Sequence, residues 1–206
     1  GVNSYDHGVV RWTAPSEGIL NIDISIAYVY GSYVAMVMLN NTGDSDPNLW
    51  IIYEQPSTSS FTWTGHHIMA GDTIDLVITS PASLESTRAN VNEVFTLYAI
   101  GEPGAPAENN IPNPNPQTPF DPDDPNAVWD ISQQFSATIN PGDYWSYGWG
   151  AGMNDFHLYD TGTPRTDGNP SWYSSGMDPA EFPQLWKNLG SMIWGVPHNT
   201  VAEHPS

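Results

Sequence analysis

The residues that could support catalysis in this chain do not form a recognised catalytic motif. The histidines show neither an H-x-x-x-H nor an H-E-x-x-H spacing, so the sequence predicts no local transition-metal site at His7, His66, His67, His157, His198 or His204. Ser146 and Ser171 lie in no nucleophile elbow, and no glycine-rich loop follows a strand and opens a helix. We therefore expect histidines in turns or on the surface, and a protein that is not an enzyme.

Two acidic clusters carry the oxygen ligands that a hard cation such as Ca²⁺ prefers. Asp44 and Asp46 flank a serine, and Asp121, Asp123 and Asp124 lie around a proline. Neither cluster matches an EF-hand loop, and solvated acidic turns are the alternative interpretation. Calcium is the one ion that the sequence suggests, and no cofactor is required.

Aromatic residues provide candidate sites for stacking on sugar rings. Trp145, Tyr147 and Trp149 alternate with small residues and therefore share one face of a strand. Core packing against a second sheet is the alternative for such a row. Trp172 and Tyr173 follow a Pro-Ser pair, and we expect them to be exposed in a loop. Polysaccharide is the ligand that these five residues suggest.

The chain is strongly acidic and has no cysteine. Four Lys plus Arg stand against 23 Asp plus Glu among its 206 residues, which gives a formal net charge of -19. Such a charge repels nucleic acid and anionic membrane surfaces, and no apolar run approaches the length of a membrane span. Asn40 begins an N-x-T sequon and is a candidate glycosylation site. Because the chain begins at Gly1 without a signal peptide, we expect a processed protein or a piece of a longer one.

Residues 1–101 carry the patterns of β-strands. Apolar residues alternate with polar ones in 22–26 and in 74–78, the latter after a turn at 70–72, and period-two alternation is typical of a strand with one buried face. Residues 33–40 and 49–55 are apolar on both faces, as central strands are, and 94–100 is the last predicted strand of this half.

Residues 127–206 differ from the first half in composition and contain many Trp, Gly and Pro. The strand candidates here are short: 135–139, 144–149, 156–160 and 200–204. This half alone would bury too little regular surface to fold, so we expect another segment to complete it.

A proline-rich linker at 102–126 separates the two halves and holds eight of the 19 prolines. Prolines spaced by Asn, Gln and Asp form neither a helix nor a strand ladder, so the linker should be extended and semi-rigid. At about 3.1 Å per residue it could reach roughly 75 Å.

Several motifs in both halves resemble the β-sandwich modules of large secreted proteins from environmental bacteria. These are R-W-T-A-P within 9–26, A-G-D-T within 69–78, and W-S-Y-G-W within 140–149. In the modules that this chain resembles, the W-S-Y-G-W segment and a terminal H-P precede R-W-T-A-P, whereas here they follow it. The resemblance implies a jelly-roll sandwich whose C-terminal-type half is 1–101 and whose N-terminal-type half is 127–206, with carbohydrate binding as a candidate activity.

The inverted order has two explanations. The chain is one period of a tandem repeat cut inside a domain, or a subunit whose second half completes the first half of the next subunit by donor-strand complementation. Either arrangement propagates head-to-tail. The alternative is a circularly permuted domain that closes on itself. We therefore expect an all-β structural subunit of an extracellular or cell-surface filament or array, with copies of itself as partners, whose sandwich is completed between successive units. A carbohydrate-binding module of a secreted polysaccharide-processing protein is the other candidate.

Charge screening generates the first testable prediction. Because neighbouring copies repel one another at a net charge of -19, millimolar Ca²⁺ or mildly low pH should favour assembly. Static light scattering with Ca²⁺, and with chelator at the same ionic strength, measures the effect. Scattering that stays the same in chelator across neutral pH would make calcium irrelevant to assembly.

Overall fold

The computed structural model describes residues 7–30, 34–40, 48–54, 59–79, 88–98, 128–150, 156–175, 184–193 and 195–204. The calcium candidates Asp44, Asp46, Asp121, Asp123 and Asp124, and the linker 102–126, lie outside these ranges. The described residues form fourteen strands and one helical turn. No helix in this part of the chain has the length and apolar character needed to cross a membrane.

The strands fall on both sides of the linker. The first half contains β1 (His7–Thr13), β2 (Gly18–Tyr30), β3 (Val34–Asn40), β4 (Asn48–Glu54), β5 (Ser59–Ile68), β6 (Thr73–Thr79) and β7 (Arg88–Tyr98). The second half contains β8 (Val128–Asp130), α1 (Ile131–Gln134), β9 (Trp145–Gly150), β10 (His157–Leu158), β11 (Thr161–Pro164), β12 (Pro170–Tyr173), β13 (Gln184–Lys187) and β14 (Val201–His204).

These strands form two antiparallel sheets. Sheet A has the order β10-β9-β1-β6-β3-β4, and sheet B has the order β11-β12-β13-β14-β7-β2-β5, with β8 also paired to β7. Inward side chains of both sheets share one apolar cluster, so the sheets pack face to face. The predicted all-β sandwich is confirmed.

Period-two alternation identified the strands that build the core. Ile22, Ile24 and Ile26 on β2 are buried in the common cluster, as are the inward residues of β6. Strand β3 is buried on both faces, as predicted for a central strand, and it lies between β6 and β4. The same prediction for residues 49–55 is wrong, because β4 is the terminal strand of sheet A among the described strands.

The predicted turn at residues 70–72 is present and links β5 to β6. Gly71 has a φ of 85°, a left-handed conformation that a glycine adopts without a steric penalty. Its N–H donates to Ala14 O at 2.8 Å, and Ala14 N donates to Asp72 O at 2.8 Å. The turn is thereby fixed to the chain that leaves β1.

Residues 135–139 were predicted as a strand and form a turn instead. The Ser136 hydroxyl accepts hydrogen bonds from Ile139 N at 2.8 Å and Thr138 N at 3.3 Å. A serine that bonds the backbone ahead of it supplies a local alternative to a strand ladder. Ile139 is consequently 60% exposed.

The two halves of the chain complete each other within one molecule. In sheet A, β9 pairs with β1 from His7↔Gly150 to Trp12↔Trp145. In sheet B, β7 pairs with β14 and with β8. The second half is completed by another segment, as predicted, but that segment belongs to the same chain. In the described structure the partner strands come from the same chain, and completion between successive units stays a prediction.

Four aromatic side chains, which we name the aromatic seam, join the halves inside the sandwich. Trp12 and Phe95 come from the first half, and Trp129 and Trp145 come from the second. The ring centroids of Trp12 lie 5.1 Å from Phe95 and 5.4 Å from Trp129, and Phe95 lies 5.4 Å from Trp145. Such aromatic pairs add to the stabilisation from their buried area.

Truncation of a side chain in the aromatic seam should destabilise the folded protein. We expect Trp129→Ala to lower the free energy of unfolding by about 3–5 kcal/mol, because the side chain is 2% exposed and its removal leaves a large cavity. Leu158→Ala is the control, since Leu158 is 40% exposed and should change stability by less than about 0.5 kcal/mol. Urea unfolding followed by tryptophan fluorescence measures the stability of both variants. Similar unfolding midpoints would show that the aromatic seam does not stabilise the sandwich.

Candidate functional site

The predicted aromatic row on β9 faces the core. Trp145 is 4% exposed and Tyr147 is fully buried, so neither ring offers a free face to a sugar. Trp149 is half-buried and stacks on His157 with ring centroids 4.7 Å apart. The three residues do share one face of a strand, and that face packs against sheet B.

Trp172 was expected to be exposed, and this expectation is wrong. Its side chain is 6% exposed, and its Nε1 donates to Ser136 O at 2.7 Å. The physical reason is that β12 lies between β11 and β13, so the ring packs over the backbone of Gly162 on β11. Tyr173 is half-buried, and its hydroxyl accepts from Thr163 Oγ1 at 3.2 Å.

The described histidines contact separate partners. His67 Nε2 lies 2.9 Å from Glu17 Oε1, His198 Nδ1 lies 3.0 Å from Gly190 O, and His66 packs on Trp63 with ring centroids 4.0 Å apart. Within the described ranges, no group of three or more His, Asp or Glu could hold a metal ion. Asn40 ends β3, and its side chain is outside what the structure describes.

A cleft beside α1, which we name the α1 cleft, lies next to the predicted sugar-binding row. It has a volume of about 330 Å³ and is lined by Gln134, Ser136, Ile139, Gly142, Asp143, Tyr144, Trp145 and Tyr147. Asp143 is exposed and Tyr144 is half-buried, whereas the core residues Trp145 and Tyr147 are buried. Asp143 is the one charged group among the described residues of this lining.

Local hydrogen bonds hold the walls of the α1 cleft in place. The Asp130 carboxylate caps α1 by accepting from Ser132 N at 2.7 Å, and Gln134 Oε1 accepts from Trp145 Nε1 at 2.7 Å. Asn140 Nδ2 donates to Tyr147 O at 2.7 Å and to Tyr159 O at 2.8 Å. The Asn140 side chain thus bonds the segment after α1 to β9, which gives the cleft a pre-formed shape.

Two glutamates that the sequence analysis did not single out lie inside the sandwich. Glu93 on β7 is fully buried and Glu203 on β14 is 1% exposed. Burial raises the pKa of Glu93 well above its ordinary value, and the charges of Glu203 and Asp75 raise it further. Burial likewise raises the pKa of Glu203. The signal in the sequence is the alternation Val91, Glu93, Phe95, which places a carboxyl group at an inward position of a strand.

Comparisons of the chain with protein-family models, with curated proteins and with solved structures found no match.

Proposed function

We propose that this protein is a structural unit of an extracellular filament or surface array, in which copies join head-to-tail by exchanging halves of the sandwich. The observation that carries this proposal is that each sheet contains strands from both halves, while the halves are joined covalently only through residues 99–127. A half from one copy can therefore occupy the place of the same half in the next copy with identical contacts.

The position of the connection supports this proposal. Thr96 on β7 is the direct partner of Val128 on β8, so the connection joins strand ends that lie side by side. An antiparallel pair needs a loop of only about two to five residues. The proline-rich connection is far longer than closure requires, and its predicted stiffness gives it the reach to span neighbouring copies.

The local concentration of copies decides whether the two halves of one chain pack on each other or exchange with the halves of another copy. Since both forms bury the same interface, they differ mainly in the entropy of closing the connection and in the local concentration of copies. Closure within one chain is favoured at low concentration, and head-to-tail exchange is favoured where copies are crowded at a surface. An exchanged head-to-tail contact propagates as a filament where the rotation between copies does not close it into a ring.

A connection too short to reverse the chain tests this proposal. We expect a variant that joins Tyr98 directly to Val128 to form open-ended oligomers with native-like circular dichroism, because β8 can no longer fold back onto the same β7. The matched control replaces residues 99–127 with a flexible loop of about five residues and should remain monomeric. Multi-angle light scattering gives the masses of both.

The unmodified chain provides the second arm of this experiment. Its mass should increase with concentration, and electron microscopy of concentrated protein should show filaments or arrays. A directly joined variant that is unfolded, together with an unmodified chain that is monomeric at every concentration, would exclude exchange of halves and favour the self-closed permuted domain.

Carbohydrate binding is a second candidate, and the α1 cleft is the observation that favours it. The cleft combines the half-buried ring of Tyr144, the exposed apolar surface of Ile139 and the carboxylate of Asp143. An apolar platform bordered by a few polar groups is a common arrangement in small-ligand sites.

Retention on insoluble polysaccharides tests this second candidate. Tyr144→Ala should lose retention because it removes the ring from the cleft, and Tyr173→Ala is the matched control because that ring lies on β12 outside the cleft lining. Equal retention of the two variants would exclude the cleft as the site. If the unmodified protein is retained on no member of a broad panel, carbohydrate binding itself is excluded.

A further inference from the structure

The two buried glutamates belong to different halves of the chain. Glu93 lies on β7 between the inward residues Val91 and Phe95, and Glu203 lies on β14 two residues after the inward Val201. Strands β7 and β14 are neighbours in sheet B. The carboxyl groups therefore lie in the core where the second half joins the first.

Most of their oxygen atoms have no hydrogen-bond partner in the part of the chain that the structure describes. This applies to both carboxyl oxygens of Glu93 and to Oε2 of Glu203. Glu203 lies directly over Gly8 of β1, where a Cβ atom would collide with the carboxyl group. The facing sheet accommodates this side chain by a glycine.

Other ionisable residues are buried on the surrounding strands, among them Asp75, Tyr147 and, on β13 beside β14, Lys187. From β6, the carboxylate of Asp75 is bound by Arg11 of β1, with both nitrogen–oxygen distances at 2.7 Å. From β9, Tyr147 is buried, and its pKa is raised by burial and by Glu93. On β2 the direct neighbour of Glu93 is Ile24, and the surrounding core cluster is built from apolar and aromatic side chains.

An ionised carboxylate without hydrogen bonds is strongly disfavoured in such an interior, and two like charges disfavour each other further. We propose that Glu93 and Glu203 form an acid-operated lock, which holds the two halves together while both carboxyl groups are protonated and loosens the junction when they ionise. The lock does not depend on the proposed assembly, because it acts on the closed sandwich whether its halves come from one chain or from two.

The direction of the pH effect follows from linkage. The folded-state pKa of each glutamate lies above its ordinary value of 4.5, so the folded state binds more protons than the unfolded state. The stabilising contribution is complete below pH 4.5 and is lost as pH rises through the folded-state pKa values. Each carboxyl group should increase the unfolding equilibrium constant by up to about tenfold per pH unit in that range, and the pair by up to about a hundredfold.

Equilibrium unfolding in urea between pH 4.5 and pH 8 measures this dependence. We expect the double variant Glu93→Gln, Glu203→Gln to have a much shallower pH dependence, because neither amide titrates. Glu17→Gln is the matched control, since Glu17 is an exposed glutamate paired with His67 and should leave the steep dependence in place. Equal pH dependence in the double variant and in the unmodified protein would overturn the lock.

Infrared spectroscopy provides a second test if the double variant does not fold. The unmodified protein at pH 7 should show the C=O stretch of a protonated carboxyl group, and each single Gln variant that folds should weaken it. The absence of that band at pH 7 would show that both glutamates are ionised in the folded state and would overturn the proposal by itself.

Discussion

The requirement that the two halves bury each other controls this fold. Trp12 and Phe95 of the first half pack on each other and on Trp129 and Trp145 of the second, and all four rings belong to the common core. Burial of large aromatic side chains is among the strongest single contributions to a core. Neither half could retain these contacts alone, so the strand pairings of β9, β8 and β14 depend on them as much as on their hydrogen bonds.

The charge of the chain imposes the second constraint on the fold, because only four Lys and Arg side chains are available to pair with 23 Asp and Glu. Arg11 binds both carboxylate oxygens of Asp75 and lies over the Phe156 ring at 4.0 Å, and Arg165 lies over Trp186 at 4.5 Å. Burial lowers the pKa of Lys187, whereas the charge of Asp130 acts in the opposite direction. These three cations contact the sandwich itself, and the formal net charge of -19 that one copy presents to another already includes them.

The fold could be predicted from the sequence where a single local period decides the structure. Alternation in β2 and β6 identified strands and their inward faces, and the turn at Gly71 followed from its residue types. One failure has a local cause and the other a tertiary cause. Ser136 forms a local turn where apolar residues suggested a strand, and Trp172 is buried because β11 and β13 flank it. The sequence pattern does not show whether the completing strands come from the same chain or from another copy, because both arrangements use the same contacts.

The candidate sites could likewise be predicted only in part, because local patterns place a residue on a face and distant elements decide what that face contacts. The aromatic row on β9 was correctly placed on one face, but whether that face meets solvent or a second sheet depends on β7, which is distant in sequence. The α1 cleft arises where α1, the Ser136 turn and β9 meet, and the sequence pattern of any one of them does not reveal it. Glu93 was overlooked because glutamates are mostly exposed, although its position between Val91 and Phe95 marks it as inward.

The aromatic seam and the buried glutamates act on the same junction, and only the glutamates respond to a change of pH. The apolar contacts of the seam do not titrate, so they hold the halves together at every pH, whereas the carboxyl groups stabilise the junction only while they are protonated. Exchange of halves between copies requires the junction to open transiently. Acid would therefore stabilise closed and exchanged sandwiches equally while slowing their interconversion. Screening of surface charge would favour assembly under the same conditions, so an assembly formed near neutral pH and then acidified would be trapped in its exchanged form.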